Sequence, residues 1–342
     1  MELQAVWFFV WGLLWALFFM TDGTNFGVGT LYPFMGKSDE DKRIMLNSIG
    51  PLWDGNEVWL ITAGGVTFAA FPTVYATMFS SLYPVFMLIL FALILRGVSF
   101  EFRGKVDSPT WRKIWDACIF IGSFAPAFLF GAFFANIIKG MPIGEDGLLQ
   151  GSLLTLVNPC SLLGGSLFVL LFLVHGALWL AIKSSGARLE RALAVANKIW
   201  PFELGIAAVF VLASFFRTPL HENYLEHPVL FVVPLVTVLS LLGIKFFLLR
   251  RVPFKAWFAS ALTIVGAIFY TVIGLFPNMF PSSIDDRFSL TAHNASSSPL
   301  TLKIMLIVVL IFIPMVIGYQ IWAYKLFSDK IDAEDLAHDE AY

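Results

Sequence analysis

Nine apolar segments separated by charged or turn-forming stretches make up most of this 342-residue chain. They run about Val6–Tyr32, Asp54–Phe79, Tyr83–Arg96, Ile114–Ile138, Val157–Ile182, Ile199–Phe216, Val229–Leu249, Trp257–Phe276 and Ile304–Tyr324. A helix needs about 20 apolar residues to cross a bilayer. In lipid, every backbone polar group must be satisfied inside the helix or around a closed barrel. Segments of this length and number point to an all-α polytopic membrane protein with about nine transmembrane helices. The second and third segments are joined only by a tight turn.

Composition agrees. Charged residues are 13% of the chain, about half the usual share of a soluble domain. The 36 Phe and 11 Trp supply lipid-facing and interfacial surface. The net charge of −2 says nothing about nucleic acid, but no basic cluster is present that would grip a phosphate backbone. The N-terminus has no positive region before its first apolar segment, so that segment reads as a retained span, not a cleaved signal. Cys118 and Cys160 fall near opposite faces of the membrane, so no disulfide is expected.

Positive charge sets the orientation. Of 22 Lys and Arg, 18 lie in alternate connections and the C-terminal tail; the other set holds only Lys139, Arg217, Arg287 and Lys303. The positive-inside rule then puts the N-terminus outside and the C-terminus in the cytoplasm. Residues 1–342 form a single membrane domain ending in a short acidic tail, 331–342.

This orientation gives the acidic residues a depth. Asp22 lies about 24 Å along the first span at 1.5 Å per residue. Asp54 and Glu57 open the second span, Asp116 the fourth and Glu203 the sixth, all from the cytoplasmic side. Acids inside spans are costly and tend to mark proton or ion traffic. Asp54 and Glu57 also have the spacing of a helix N-cap and its N3 partner, so a purely structural role stays open. Their face continues through Ile61, Gly64 and Gly65, which directs the carboxylates toward protein. Asp22 lacks that explanation: it is near the C-terminal end of its span, where the helix dipole disfavours an anion. The following Gly23, Thr24, Asn25, Gly27 and Gly29 are expected to distort or unwind the helix there.

Histidines are scarce. His175 alone is deep in a span, and a haem-carrying bundle usually needs a pair, so a hydrogen-bonded packing role is the expectation. Arg96 and Arg103 read as snorkelling residues at the end of the third span. Pro72, Pro126 and Pro314 mark kinks.

These residues carry a family resemblance along essentially the whole chain. Thr21-Asp22-Gly23 with Gly27 and Gly29 resembles the first-span motif of subunit II of cytochrome bd quinol oxidases. The block from Arg43 to Leu60, including Trp53-Asp54-Gly55-Asn56-Glu57, is similar to that family's most distinctive sequence. Gly64-Gly65, Arg96-Gly97, Phe100 to Arg103, Trp115-Asp116 and Phe276-Pro277 to Pro281 also fit. The resemblance implies two four-helix bundles plus one extra helix, in a bacterial or archaeal plasma membrane. It implies a haem-free partner of a subunit I that carries haems b and d and oxidises membrane quinol to reduce dioxygen. It also implies a cytoplasmic proton route through Asp54 and Asp22, with Glu57 as a secondary member, and in some relatives a structural quinone near Trp53. The resemblance also allows a small single-helix subunit as a further partner. The alternative from another class is a secondary transporter, motivated by a glycine-broken first helix beside buried acids.

Overall fold

The computed structural model describes residues 2–332 and 335–337, so most of the expected acidic tail, residues 333–334 and 338–342, lies outside the described residues. The helices are α1 (Leu3–Met35), α2 (Asp39–Ile49), α3 (Trp53–Ala70), α4 (Pro72–Ser81), α5 (Tyr83–Phe102), α6 (Pro109–Lys139), α7 (Pro159–Lys183), α8 (Gly186–Arg217), α9 (Glu222–Glu226), α10 (Val232–Leu249), α11 (Pro253–Leu275) and α12 (Pro299–Leu326). A two-stranded antiparallel ribbon, β1 (Asn278–Phe280) and β2 (Leu290–Thr291), lies between α11 and α12. Among the described residues eight helices are long and apolar enough to cross a membrane, or nine with α3 and α4 taken as one broken span.

Each expected span has its helix, and the second departs from expectation. Its chain bends by 119° between α3 and α4. Pro72 has no N–H to continue the ladder and disfavours helical geometry at Phe71, which adopts φ −136°, ψ 65°. The carbonyls left open at the end of α3 are taken by the loop before α12: Ser297 N–H donates to Ala70 O at 2.8 Å and Ser297 Oγ to Ala69 O at 2.6 Å. The 18 residues of α3 make about 27 Å of helix, close to the bilayer core by themselves. The last part of the expected second span is therefore a separate helix, α4, at an angle to α3, and Leu82 alone makes the tight turn expected before the third span.

The first span also differs. α1 is one unbroken helix of 33 residues, with no unwinding at its glycines. Those glycines serve packing. A Cβ on Gly27 would stand 1.8 Å from the Phe172 carbonyl oxygen, and one on Gly176 would stand 2.5 Å from Gly27 C. A Cβ on Gly29 would meet Ser123 Oγ at 2.0 Å. Small residues thus bring α1 against α6 and α7. Without a break in α1, the motive for a transporter is gone.

α1, α3, α5 and α6 form one four-helix group, α7, α8, α10 and α11 a second, and α12 lies outside against α1 and α3. α1 also packs on α7 and α11, which joins the two groups. Phenylalanines fill this seam. Phe19 meets Phe168 edge-on at 5.0 Å, Phe18 meets Phe130 at 5.5 Å, and Phe26 lies 5.6 Å from Phe172. Edge-to-face pairs of this kind add to the stabilisation from burial alone. Cys118 and Cys160 are free.

The two ends of the bundle differ chemically. At one end the α6–α7 connection joins the loop around β1 and β2 through Met141 N–H to Pro281 O at 2.9 Å and Ser283 N–H to Met141 O at 2.8 Å. At the other, basic end α2 is strapped down by ion pairs. Asp41 accepts from Arg188 at 2.8 Å and from Arg191 at 2.9 Å. The chain after α12 docks nearby, with Ile331 N–H bonded to Lys183 O and Arg43 Nη2 to Leu336 O.

Candidate functional site

Asp22 of α1 is fully buried, and its partner is Arg96 of α5, also fully buried. Arg96 Nη2 lies 2.8 Å from Asp22 Oδ2 and 2.5 Å from Glu57 Oε1 of α3. Asn25, one turn beyond Asp22, donates from Nδ2 to Asp22 Oδ1 at 2.5 Å. The Arg96 guanidinium also lies 4.5 Å from the centre of the Phe26 ring. Three helices therefore converge on one guanidinium nitrogen. With both carboxylates ionised the group carries two negative charges and one positive. Buried charge is tolerated only when compensated, so the cluster is one positive charge short, a deficit that one proton corrects.

The surrounding contacts fix α3 against α1 and α12. Asn56 Nδ2 donates to Thr21 O at 3.3 Å, and Asn56 Oδ1 accepts from Tyr324 OH at 3.0 Å. Trp59 Nε1 donates to Gln320 Oε1 at 2.7 Å, and Gln320 Nε2 to Gly55 O at 3.0 Å. The deeper Arg96 donors, Nε and Nη1, have no partner among the described residues, nor do Thr24 Oγ1, Asn25 Oδ1 and Ser123 Oγ. Polar capacity around Asp22 exceeds what the side chains use.

Asp54 takes no part in the cluster. It is exposed at the start of α3, where its Oδ1 accepts from Gly55 N–H at 2.7 Å. The capping reading of Asp54 and Glu57 does not survive. The N-cap of α3 is Leu52, which puts Asp54 inside the first turn, and Glu57 turns to Arg96. The expectation that this face directs the carboxylates at protein holds for Glu57, which reaches Arg96, and fails within this chain for Asp54 and for the continuation of the face. Ile61 is exposed, and a Cβ on Gly64 or Gly65 would meet nothing within 4 Å. Trp53 packs against Phe100 at 5.4 Å and over Gly97, where a Cβ would lie 3.0 Å from the indole.

The other buried acids behave differently. Asp116 accepts from Arg103 Nε and Lys42 Nζ, both at 2.7 Å, and from Tyr32 OH at 3.0 Å. Arg103 also pairs with Asp39 at 2.7 Å. Two cations meet two anions, so this group is balanced and reads as a latch for α2. Glu203 is fully buried on α8, with no partner for either oxygen among the described residues.

His175 is held at both ring nitrogens, by Met20 O at 3.0 Å and Ser260 Oγ at 3.1 Å. A carbonyl can only accept, so Nε2 carries the proton and Nδ1 accepts from Ser260. That matches the packing role expected of it. No group of three or more His, Cys, Asp or Glu among the described residues is placed to hold a metal ion.

In the sequence Arg96 reads as the end of the third span, which leaves that span 14 residues where about 20 are needed. Completing the span carries the helix to Phe102, as observed, and puts Arg96 well inside. A buried arginine at the depth of Asp22 was the available signal.

The family of "cytochrome bd terminal oxidase subunit II" matches residues 3–327. The chain is 38% identical to cytochrome bd ubiquinol oxidase subunit 2 of Bacillus subtilis (strain 168), covering 98% of both chains. It is 37% identical to a probable cytochrome oxidase subunit 2 of Haemophilus influenzae, over 97% of this chain and 96% of that one. Its fold resembles the bd oxidase structure from Geobacillus thermodenitrificans, with a TM-score of 0.80 at 16% identity, over 96% of this chain and 99% of that one. The chain therefore belongs to the cytochrome bd terminal oxidase subunit II family, as a multi-pass plasma-membrane subunit of a quinol:oxygen oxidoreductase.

Proposed function

We propose that Asp22, Glu57 and Arg96 form a proton-holding centre that feeds oxygen reduction in a haem-bearing subunit I. The observation that carries this reading is the shared guanidinium nitrogen, with two carboxylates, one buried and one part-buried, on one buried cation. Such a group is neutral with one proton bound and takes it up or gives it on at little electrostatic cost. Asp54, exposed one turn before Glu57, is the entrance. Glu57, part-buried, links it to Asp22. With the basic end in the cytoplasm, protons consumed at the oxygen-reducing haem come from inside the cell. Quinol oxidised by the partner releases its protons outside, and a gradient builds.

Haems b and d belong to the partner in this reading, as does the quinol-oxidising loop. This chain supplies the scaffold and the proton route. A structural quinone is the remaining cofactor. Trp53, half-buried on Phe100 and Gly97, would contact its ring at the basic end. An apolar cavity of about 480 Å³ among α1, α6, α7, α8, α10 and α11 has room for a prenyl chain, although Trp53 does not line it. A small single-helix subunit would need lipid-facing surface, of which α12 has much.

The test is oxygen consumption by the purified complex carrying Asp54→Asn or Glu57→Gln, read beside its haem spectrum. The expected result is slower turnover with the spectrum retained. Unchanged turnover in both variants would remove the route, and loss of haem would make the pair an assembly feature.

A further inference from the structure

A groove of about 530 Å³ runs between α10 and α11 near the basic end. Small residues open it: Ser240 and Gly243 on α10 face Ala259 on α11, and a Cβ on Gly243 would stand 3.7 Å from the Ala259 Cβ. Along α10 it runs from Phe247 to Val236, about 16 Å of helix. That is half of a hydrocarbon core about 30 Å thick, the depth of one leaflet.

The lining of the groove carries a cation. Lys255, exposed in the first turn of α11, is the charged residue in its lining. Arg250, at the end of α10, lies over the Phe246 ring at 5.0 Å. No ion pair among the described residues engages either of them, whereas the adjacent Arg251 is paired with Glu190 at 2.9 Å. Lys245 is held by Asn197 Oδ1 at 2.5 Å and by the Trp200 ring.

An apolar slot one leaflet deep, with Lys255 in its lining and Arg250 three residues beyond the lining residue Phe247 on α10, matches a lipid with an anionic head. Basic pockets between transmembrane helices on the cytoplasmic side bind such heads. A transmembrane helix of a partner would span the full membrane and be about 10 Å wide, and this groove stops at mid-depth. We infer that the groove between α10 and α11 holds an anionic phospholipid, with one acyl chain between the helices and its phosphate on Lys255 and Arg250.

The test uses the purified oxidase complex in nanodiscs with spin-labelled phosphatidylglycerol and phosphatidylcholine as probes. The expected result is preferential immobilisation of phosphatidylglycerol, with the preference falling about fivefold in Lys255→Gln. Gly243→Leu fills the slot and lowers immobilisation while the charges stay. Equal immobilisation of the two lipids, or a preference unchanged in Lys255→Gln, overturns the inference. So does a photo-cross-linker at Phe258 that captures polypeptide, whether a second copy or another subunit, in place of lipid. The readout is lipid binding, so the outcome is separate from that of the proton route.

Discussion

Arg96 reaches Asp22 across 2.8 Å with neither side chain exposed to solvent, and the same nitrogen reaches Glu57. One cation thus ties α1, α3 and α5 together. Removing one partner of a buried pair strands the other charge, at a cost of about 3–5 kcal/mol. Arg96→Leu is therefore expected to destabilise the subunit by that amount, seen as a lower thermal midpoint of the complex. The double variant Arg96→Leu with Asp22→Asn should recover part of the loss, because the stranded charge goes with it. Arg96→Lys should rescue poorly, since an ammonium lacks the guanidinium's fixed planar fork of donors. Equal midpoints for all variants would rule out this tie.

The approach of α1 to α7 is a second point of dependence. Gly27→Ala puts a methyl 1.8 Å from a backbone oxygen that cannot move alone, so the helices must separate. Overpacking of this kind costs about 1–3 kcal/mol. A lower thermal midpoint is expected, whereas Gly64→Ala, with nothing within 4 Å in this chain, should be tolerated in the isolated subunit.

The strap at the basic end depends on pH with a definite sign. Burial works against the ionised Asp41, but hydrogen bonds from Arg188 and Arg191 outweigh it and hold its pKa below the ordinary carboxylate value. A folded pKa below the unfolded one gives stability that is complete above about pH 4 and is lost as pH falls through the folded value. The protection of α2 amides against hydrogen exchange, relative to the intrinsic rate at each pH, should therefore hold from neutral pH down to about 4 and fall in more acid solution. Asp41→Asn should exchange faster at neutral pH and lose that acid dependence. An unchanged profile would place the hold on α2 elsewhere.

The fold was legible because its strongest signals are one-dimensional. Apolar length gave the helices, and the alternation of Lys and Arg distinguished the two ends. Asp22 was also legible, since an acid so far along a span has few bland explanations. What stayed hidden depends on contacts between distant segments. The glycines after Asp22 read as a break in the helix, and only their contacts with Gly176 on α7 and Ser123 on α6 make them a packing face. The spacing of Asp54 and Glu57 fits a cap until the helix is seen to begin at Trp53. Arg96 is hidden because a charge in an apolar segment reads as the end of a span, and its burial depends on two acids 74 and 39 positions away.

The most direct measurement is steady-state oxygen consumption by the intact complex carrying Asp22→Asn, with its haem spectrum recorded on the same sample. Asparagine keeps a polar group beside Arg96 but cannot carry a proton. The expected result is a native haem spectrum with turnover lowered on the order of a hundredfold, the scale of one lost proton-transfer group. Native turnover with a native spectrum would contradict a proton route through Asp22.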